Sequence, residues 1–238
     1  MSKKKFRDEA GVFLAEGAKV VGDILPYFRC RVLCATKDYL TQHPHLQADE
    51  VVEITEAELL KCSQLKTPRD VVAVFEKPAA QTINAATVNS ELCLMLDGVQ
   101  DPGNLGTILR VADWFGIRHI LCSEGTVDVF NPKCVQSCMG ALARVKVHSC
   151  NLGEVLLQLD MPIYGTFLDG KDIYQEPLSS TGVIIMGNEG KGISPEIANL
   201  VNRRLYVPNY PQGALTTESL NVAVCTGIVC AEFCRRMR

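Results

Sequence analysis

The side chains best able to do chemistry in this chain gather in three short segments of its C-terminal half. Asp101-Pro-Gly-Asn-Leu-Gly-Thr-Ile-Leu-Arg110 carries an amide and a guanidinium beside an apolar stripe. Met186-Gly-Asn-Glu-Gly-Lys-Gly-Ile-Ser194 sets a carboxylate among glycines. Glu218-Ser-Leu-Asn-Val-Ala223 puts a hydroxyl and a second amide ahead of a long apolar run. Glycine lets backbone approach a ligand closely and accepts positive φ. A turn that only reverses the chain has no need of a carboxylate such as Glu189 at its centre. Together the segments suggest a backbone-lined pocket ringed by Arg110, Glu189, Ser219, Asn104 and Asn221. Each segment also has a plainer explanation. Asn104 could cap a helix with Arg110 as a surface cation, residues 187–192 could be a flexible turn, and Ser219 could be a cap with Asn221 in the first turn.

Other chemistries fit poorly. The order Gly-x-x-Gly-x-Gly at 187–192 is neither a phosphate-binding Walker loop nor a dinucleotide fingerprint. Cys134 and Cys138 lack a second ligand pair at metal spacing, and no metal is expected. No Gly-x-Ser-x-Gly elbow supports a serine hydrolase. His43 and His45 flank Pro44 in an expected loop, and His119 and His148 have no sequence-adjacent partner.

Positioning these segments falls to alternating strands and helices. Apolar runs at 92–96, 119–122, 145–147, 163–167, 182–186 and 204–207 read as strands. Helices are expected at 104–115, 132–141, 152–159, 194–202 and 219–236, with Ser194 as a cap and Pro195 at a first helical position. Near-continuous apolar strands between helices imply a parallel sheet covered on both faces. In such a sheet ligands sit beyond the carboxyl ends of the strands, and all three segments lie at that edge. Residues 7–28 have a helical stripe of Phe13, Leu14, Ala18, Val21 and Leu25. Strands are expected at 30–35, 51–54 and 69–75, and Thr55 with Glu58 reads as a capping box. The domains expected are therefore a small α/β unit at 1–80, a linker at 81–90 of small polar residues, and an α/β unit at 91–238.

The composition is that of an ordinary globular protein: 238 residues, 47% hydrophobic and 21% charged. Eleven cysteines in apolar contexts suit buried thiols in a reducing compartment. No apolar run follows the basic start Met1-Ser-Lys-Lys-Lys5 and none is long enough to span a bilayer, so a cytoplasmic location with no membrane contact is expected. A net charge of -3 argues against a broad nucleic-acid surface. RNA contact would need local patches such as Lys3 to Arg7, Arg29 with Arg31, or Arg235, Arg236 and Arg238, although such runs often only solvate a face.

In this order and at these positions, the three segments resemble the motifs of the SpoU family of RNA ribose 2′-O-methyltransferases, within the SPOUT superfamily. The resemblance covers about residues 92–234. More loosely, Gly11-Val-Phe-Leu-Ala-Glu-Gly17 and Lys66-Thr-Pro-Arg-Asp-Val-Val-Ala73 are similar to the family's small substrate-binding domain. Cys225 stands where the family usually has a smaller residue. The resemblance implies an α/β fold with a C-terminal parallel-sheet SPOUT domain, a deep trefoil knot and a small N-terminal α/β substrate-binding domain. It also implies a homodimer, S-adenosylmethionine as cofactor and structured ribosomal or transfer RNA as substrate. Thr166, Gly187, Asn188, Glu189, Gly190, Val207 and Leu220 would hold the cofactor. Arg110 would stand at the ribose hydroxyl; because a guanidinium stays protonated, gripping a phosphate and stabilising alkoxide charge suit it better than acting as a base. Glu189 would orient Arg110 or a neighbouring donor, and Asn104, Ser219 and Asn221 would fix geometry. A non-catalytic RNA-binding protein with the same fold, and a nucleotide-dependent oxidoreductase, are the alternatives.

Overall fold

Gly11 decides how the chain begins. Its φ of 62° ends a first helix, α1 (Lys4–Ala10), in the left-handed conformation that glycine adopts without strain. The next residues form strand β1 (Val12–Glu16), every one of them buried. The stripe at 7–28 therefore belongs to two short helices with a strand between them, the second helix being α2 (Ala18–Ile24). Val12, Phe13 and Leu14 satisfy a strand as readily as a helix, and two-sided burial favours the strand.

A computed structural model describes residues 3–79, 83–211 and 213–237. After α2 come β2 (Cys30–Ala35), α3 (Lys37–Gln42), β3 (Glu50–Glu53), α4 (Glu56–Cys62) and β4 (Val71–Glu76). The capping box is present: Thr55 Oγ1 accepts from Glu58 N, and Thr55 N donates to Glu58 Oε2 at 2.8 Å. The four strands form one sheet in the order β1-β4-β2-β3.

The second half follows with α5 (Ala85–Ser90), β5 (Leu92–Asp97), α6 (Pro102–Trp114), β6 (His119–Cys122), α7 (Pro132–Ser137), a 3-10 turn (Ala141–Ala143) and β7 (Lys146–Ser149). Then come α8 (Leu152–Leu156), β8 (Ile163–Asp172), β9 (Gly182–Gly187), α9 (Pro195–Ala198), β10 (Arg203–Tyr206) and α10 (Val222–Arg236). Six strands pair in the order β10-β8-β9-β5-β6-β7. Every pairing is parallel, as the apolar strands require. Cys93, Met95, Val183, Ile185 and Leu121 fill one side of its core.

The chain divides into two compact units, Met1–Ala79 with Asp128–Arg144, and Ala80–Val127 with Val145–Arg238. Two expected boundaries differ from this. Residues 128–144, expected with the second unit, pack in the first, where Phe130 stacks on Phe13 at 5.0 Å and Asp128 meets the buried Arg7 at 2.6 Å. Most of the expected linker is helical: Asn84 Oδ1 caps α5 by accepting from Thr87 N at 2.8 Å, and Val88 is wholly buried in the second unit's core. Residues 81 and 82 lie outside the described residues.

Candidate active site

Because the sheet is parallel, β5, β9 and β10 end at one edge, and the three segments leave from there. The first starts with a cap. Asp101, not Asn104, is the N-cap of α6, its Oδ1 accepting from Asn104 N at 2.9 Å. Pro102 at the first helical position costs no hydrogen bond there. Leu105, Ile108, Leu109 and Ala112 are fully buried, which fixes the helix against the sheet. Asn104 is left with its side-chain amide available in the first turn.

The glycine segment is a closed turn. Asn188 and Gly192 exchange two backbone hydrogen bonds of 2.9 Å. A Cβ on Gly187 would lie 2.2 Å from the Gly192 carbonyl carbon and 2.3 Å from Ile193 N, so only glycine fits. The turn is tied to the segment after β5 at three points. Asp97 Oδ2 accepts from Ser194 N at 2.7 Å, and Asn188 Nδ2 donates to the Gly98 carbonyl at 2.7 Å. Glu189 makes the third tie, accepting from Gln100 N and Asp101 N at 3.2 Å and from Asn104 Nδ2 at 3.0 Å. Burial pushes the Glu189 carboxyl up, but these hydrogen bonds outweigh it and hold the group below the usual carboxylate range.

The third segment joins through Asn221. It is the N-cap of α10, its Oδ1 accepting from Ala223 N and Val224 N at 3.0 and 3.2 Å. Its Nδ2 donates to Asn104 Oδ1 at 3.0 Å. Ser219 is not the cap; it lies upstream in the loop. The plain explanation gave the cap to Ser219; Asn221 takes it with one face, while its other face reaches Asn104. All three segments are joined in one line, Asn221 to Asn104 to Glu189.

Beside that line lies a cavity of about 450 Å³, a size typical of small-molecule sites. Thr166, Gly187, Asn188, Glu189, Gly190, Val207, Leu220 and Ser219 all line it. Phe167, Leu168, Lys191, Glu218 and Cys225 line it too. Phe167 and Leu168 went unrecognised in the sequence because their placement depends on an irregularity. Arg204 pairs with Gly165, but Leu205 pairs with Lys171, so residues 166–170 have no partner in β10, and Thr166, Phe167 and Leu168 form a wall of the cavity. Gly170 lets the strand return, since a Cβ there would stand 2.5 Å from the Leu205 carbonyl. Arg204 lies 3.5 Å over the Phe167 ring and 2.6 Å from Asp169, bracing the wall.

Arg110 is exposed on α6, is not among the cavity's lining residues, and makes no side-chain hydrogen bond or ion pair with another described residue. Glu189 therefore orients the neighbouring donor Asn104 rather than Arg110.

A family model described as the SpoU rRNA Methylase family matches residues 91–231. The chain belongs to the SpoU family. Residues 1–73 match a second model, the MRM3-like substrate binding domain. This SpoU chain is 33% identical over 231 residues to the 23S rRNA (guanosine(2553)-2′-O)-methyltransferase RlmP of Bacillus subtilis, covering 95% of this chain and 90% of that one. A TrmH-family structure from Porphyromonas gingivalis is 44% identical with a TM-score of 0.88, covering 99% of this chain and 94% of the other. An AdoMet-bound rRNA methyltransferase from Sinorhizobium meliloti is 28% identical with a TM-score of 0.85, covering 100% of this chain and 92% of the other. These likenesses match the expected SPOUT α/β architecture of parallel sheet and N-terminal substrate-binding domain. Among the described residues of the SpoU chain, no helix is long and apolar enough to cross a membrane, and no group of three or more His, Cys, Asp or Glu could hold a metal ion.

Most cations of the basic clusters expected to meet RNA have ion-pair partners. Lys4 pairs with Asp8 at 2.6 Å and Lys5 with Glu9 at 3.8 Å. Arg29 pairs with Asp49 at 3.1 Å and Arg31 with Glu76 at 3.4 Å. Arg235 and Arg236 both pair with Glu232 at 2.7 Å. Arg7 is buried, and Arg238 lies outside the described residues. Different cations of the first unit stand free among the described residues: Lys37, Lys66 and Arg69 are exposed and have no ion-pair partner there. Lys37 and Arg69 flank one end of the β2–β4 pair, where Ala35 pairs with Val71 and Thr36 N donates to the Asp70 carbonyl at 2.9 Å.

Proposed function

We propose that this chain is an S-adenosylmethionine-dependent RNA 2′-O-methyltransferase acting on ribosomal RNA, with the cavity at the sheet edge as the cofactor's seat. The observation that carries the reading is the line Asn221–Asn104–Glu189, which joins all three segments beside a cavity of matching size. The lining fits the group. Phe167, Leu205, Val207 and Leu220 offer apolar surface to a nucleoside, and the side-chain-free backbone of Gly187 and Gly190 opens peptide groups to it. When bound, S-adenosylmethionine supplies a methyl carbon on a positively charged sulfur, ready for attack by a ribose oxygen.

Thr166, Gly187, Asn188, Gly190, Val207 and Leu220 bring no formal charge to the cavity. Glu189 is occupied by its three donors, so it orients Asn104 rather than neutralising the cofactor. A seat that does not over-stabilise the reactant's charge leaves the barrier low. Arg110 stays protonated and acts on the substrate side, gripping a phosphate and stabilising charge on the ribose oxygen. Ser219 and Asn221 hold the loop ahead of α10 in place.

The chain works as a homodimer with the site at the interface. Arg110 lies away from its own cavity, so it would act on the cavity of a second copy. Trp114 on α6 is 85% exposed and Val224 on α10 is 53% exposed, an apolar surface for that copy to cover. We assign the family's trefoil knot to β10 and α10, RNA docking to the first unit through Lys37, Lys66 and Arg69, and a cytoplasmic location.

Mapping ribose methylation in RNA from cells lacking the protein tests the reading. Loss of one 2′-O-methyl group in ribosomal RNA, restored by adding purified protein and cofactor, is the expected result. Loss from transfer RNA alone would move the substrate. Binding to RNA with every methyl group intact would favour a non-catalytic RNA-binding protein.

A further inference from the structure

Two charges in the cavity wall are not used by the methyl-transfer reading. Lys191 stands on the glycine turn, and Glu218 stands ahead of the Asn221 cap; both line the cavity and both are exposed. Neither side chain makes a hydrogen bond or ion pair with another described residue. Glu189, in the same wall, accepts from Gln100, Asp101 and Asn104. Lys191 is the one Lys or Arg among the lining residues.

The Lys191 backbone is held more firmly than its exposure suggests. Lys191 N donates to Asn188 Oδ1 at 3.0 Å, and Asn188 is itself bound to Gly98 and Gly192. Glu218 lies on the same loop as Ser219 and Leu220, which also face the cavity. One free cation and one free anion therefore line one cavity from two separate segments, while the Asn188 and Glu189 side chains in the same lining are taken up by Gly98 and by Gln100, Asp101 and Asn104. Unpaired opposite charges lining one pocket are the electrostatic complement of a zwitterion.

We infer that Lys191 and Glu218 form a clamp for the amino-acid end of the cofactor, Lys191 taking the α-carboxylate and Glu218 the α-ammonium. The inference rests on the cavity being the cofactor's seat. It divides the cavity into an apolar part for the nucleoside and a charged part for the amino acid. Lys191, a cation, would add no counter-charge to the sulfur, and the Glu218 charge would be taken up by the ammonium. Both are positioning residues for the methyl donor.

Calorimetric titration of the full chain with two ligands tests this. S-adenosylhomocysteine carries the zwitterion; 5′-methylthioadenosine has the same thioether nucleoside without it. Wild-type protein should bind the first more tightly. Lys191→Met and Glu218→Gln should each weaken S-adenosylhomocysteine roughly fivefold, the scale of a partly exposed ion pair, and leave 5′-methylthioadenosine unchanged. The wild-type preference should shrink as salt is raised. Unchanged 5′-methylthioadenosine affinity also shows that each variant is folded. If either variant weakens both ligands alike, or neither, the clamp is refuted while the seat stands. If wild-type protein binds neither ligand, the seat itself is refuted.

Discussion

Asn221 Nδ2 donates to Asn104 Oδ1 across 3.0 Å, joining residues 117 positions apart in the chain. The Asn104 amide in turn donates to Glu189 Oε1 at 3.0 Å. One planar amide thereby fixes the relative placement of the turn after β9 and the start of α10. Its orientation is set from both ends, since a carboxylate accepts only and needs the NH₂ face.

Replacing that amide should loosen the site. Asn104→Ala leaves Glu189 short of a donor and Asn221 short of an acceptor, a loss of about 1–2 kcal/mol in urea unfolding. Asn104→Asp sets a second carboxylate against Glu189, and the repulsion outweighs the gain of about 0.3–1 kcal/mol from an acidic residue in a helix's first turn. The Asp variant should therefore be less stable than the Ala variant at pH 7, with the gap narrowing toward pH 5. Equal stability of the two at pH 7 would mean the amide is not positioned as described.

The acid limb follows from Glu189. Its carboxyl is depressed in the folded chain, so its stabilisation is complete above the ordinary glutamate range and lost as pH falls through the lower folded value. The difference in urea-unfolding stability between wild type and Glu189→Gln should be flat from about pH 6 to 8 and shrink only below about pH 4, beneath the ordinary carboxyl region. A limb centred near pH 6 would point to a different group.

Arg110→Ala should lower methyl transfer by about a hundredfold or more, the scale of losing one charge-stabilising donor, with cofactor affinity nearly unchanged. Arg110→Lys keeps the charge without the fork and should fall between wild type and Ala. Equal loss of transfer and cofactor binding in Arg110→Ala would remove its assigned role.

Glycine positions separate folding from binding. Gly187→Ala drives a Cβ into the Gly192 and Ile193 backbone and should lower the melting temperature by several degrees, so a larger residue there cannot report on binding alone. At Gly190 a Cβ meets only Asn188 Oδ1, at 3.8 Å. Gly190→Phe should fill the cavity and abolish cofactor binding with the melting temperature nearly kept. Normal cofactor affinity in Gly190→Phe would move the seat elsewhere.

RNA affinity distinguishes free from paired cations. Lys66→Glu and Arg69→Glu should weaken binding and reduce the salt slope by about 0.7–0.9 for each phosphate no longer neutralised. Arg29→Ala and Arg31→Ala, which remove cations already matched by Asp49 and Glu76, should change the slope little. The reverse ranking would place RNA at Arg29 and Arg31.

Much of the architecture was legible from local pattern. The apolar runs at 92–96, 119–122 and 182–186 became β5, β6 and β9 with boundaries shifted by a residue at most, because two-sided burial leaves little choice of residue. The helix expected at 7–28 failed because Phe13 and Leu14 serve either periodicity, and only pairing with β4 selects the strand. The linker failed because Val88 looks like any small apolar residue until a core covers it. The pairing within the basic patches was hidden because a charge run carries no record of its partners: Arg31 and Glu76 are far apart in sequence and adjacent in space.

Amino-acid order by itself determined which runs had to be buried strands, and that a Glu, a Ser and two Asn would lie in segments leaving the same sheet edge. These follow from backbone sterics and side-chain polarity, which act over a few residues. Only the tertiary structure decided that Asn104 bridges Glu189 and Asn221, that residues 166–168 form a cavity wall, and that Lys191 and Glu218 remain without partners among the described residues. Those depend on strand register and on which distant groups come within hydrogen-bond range, and no local pattern encodes either.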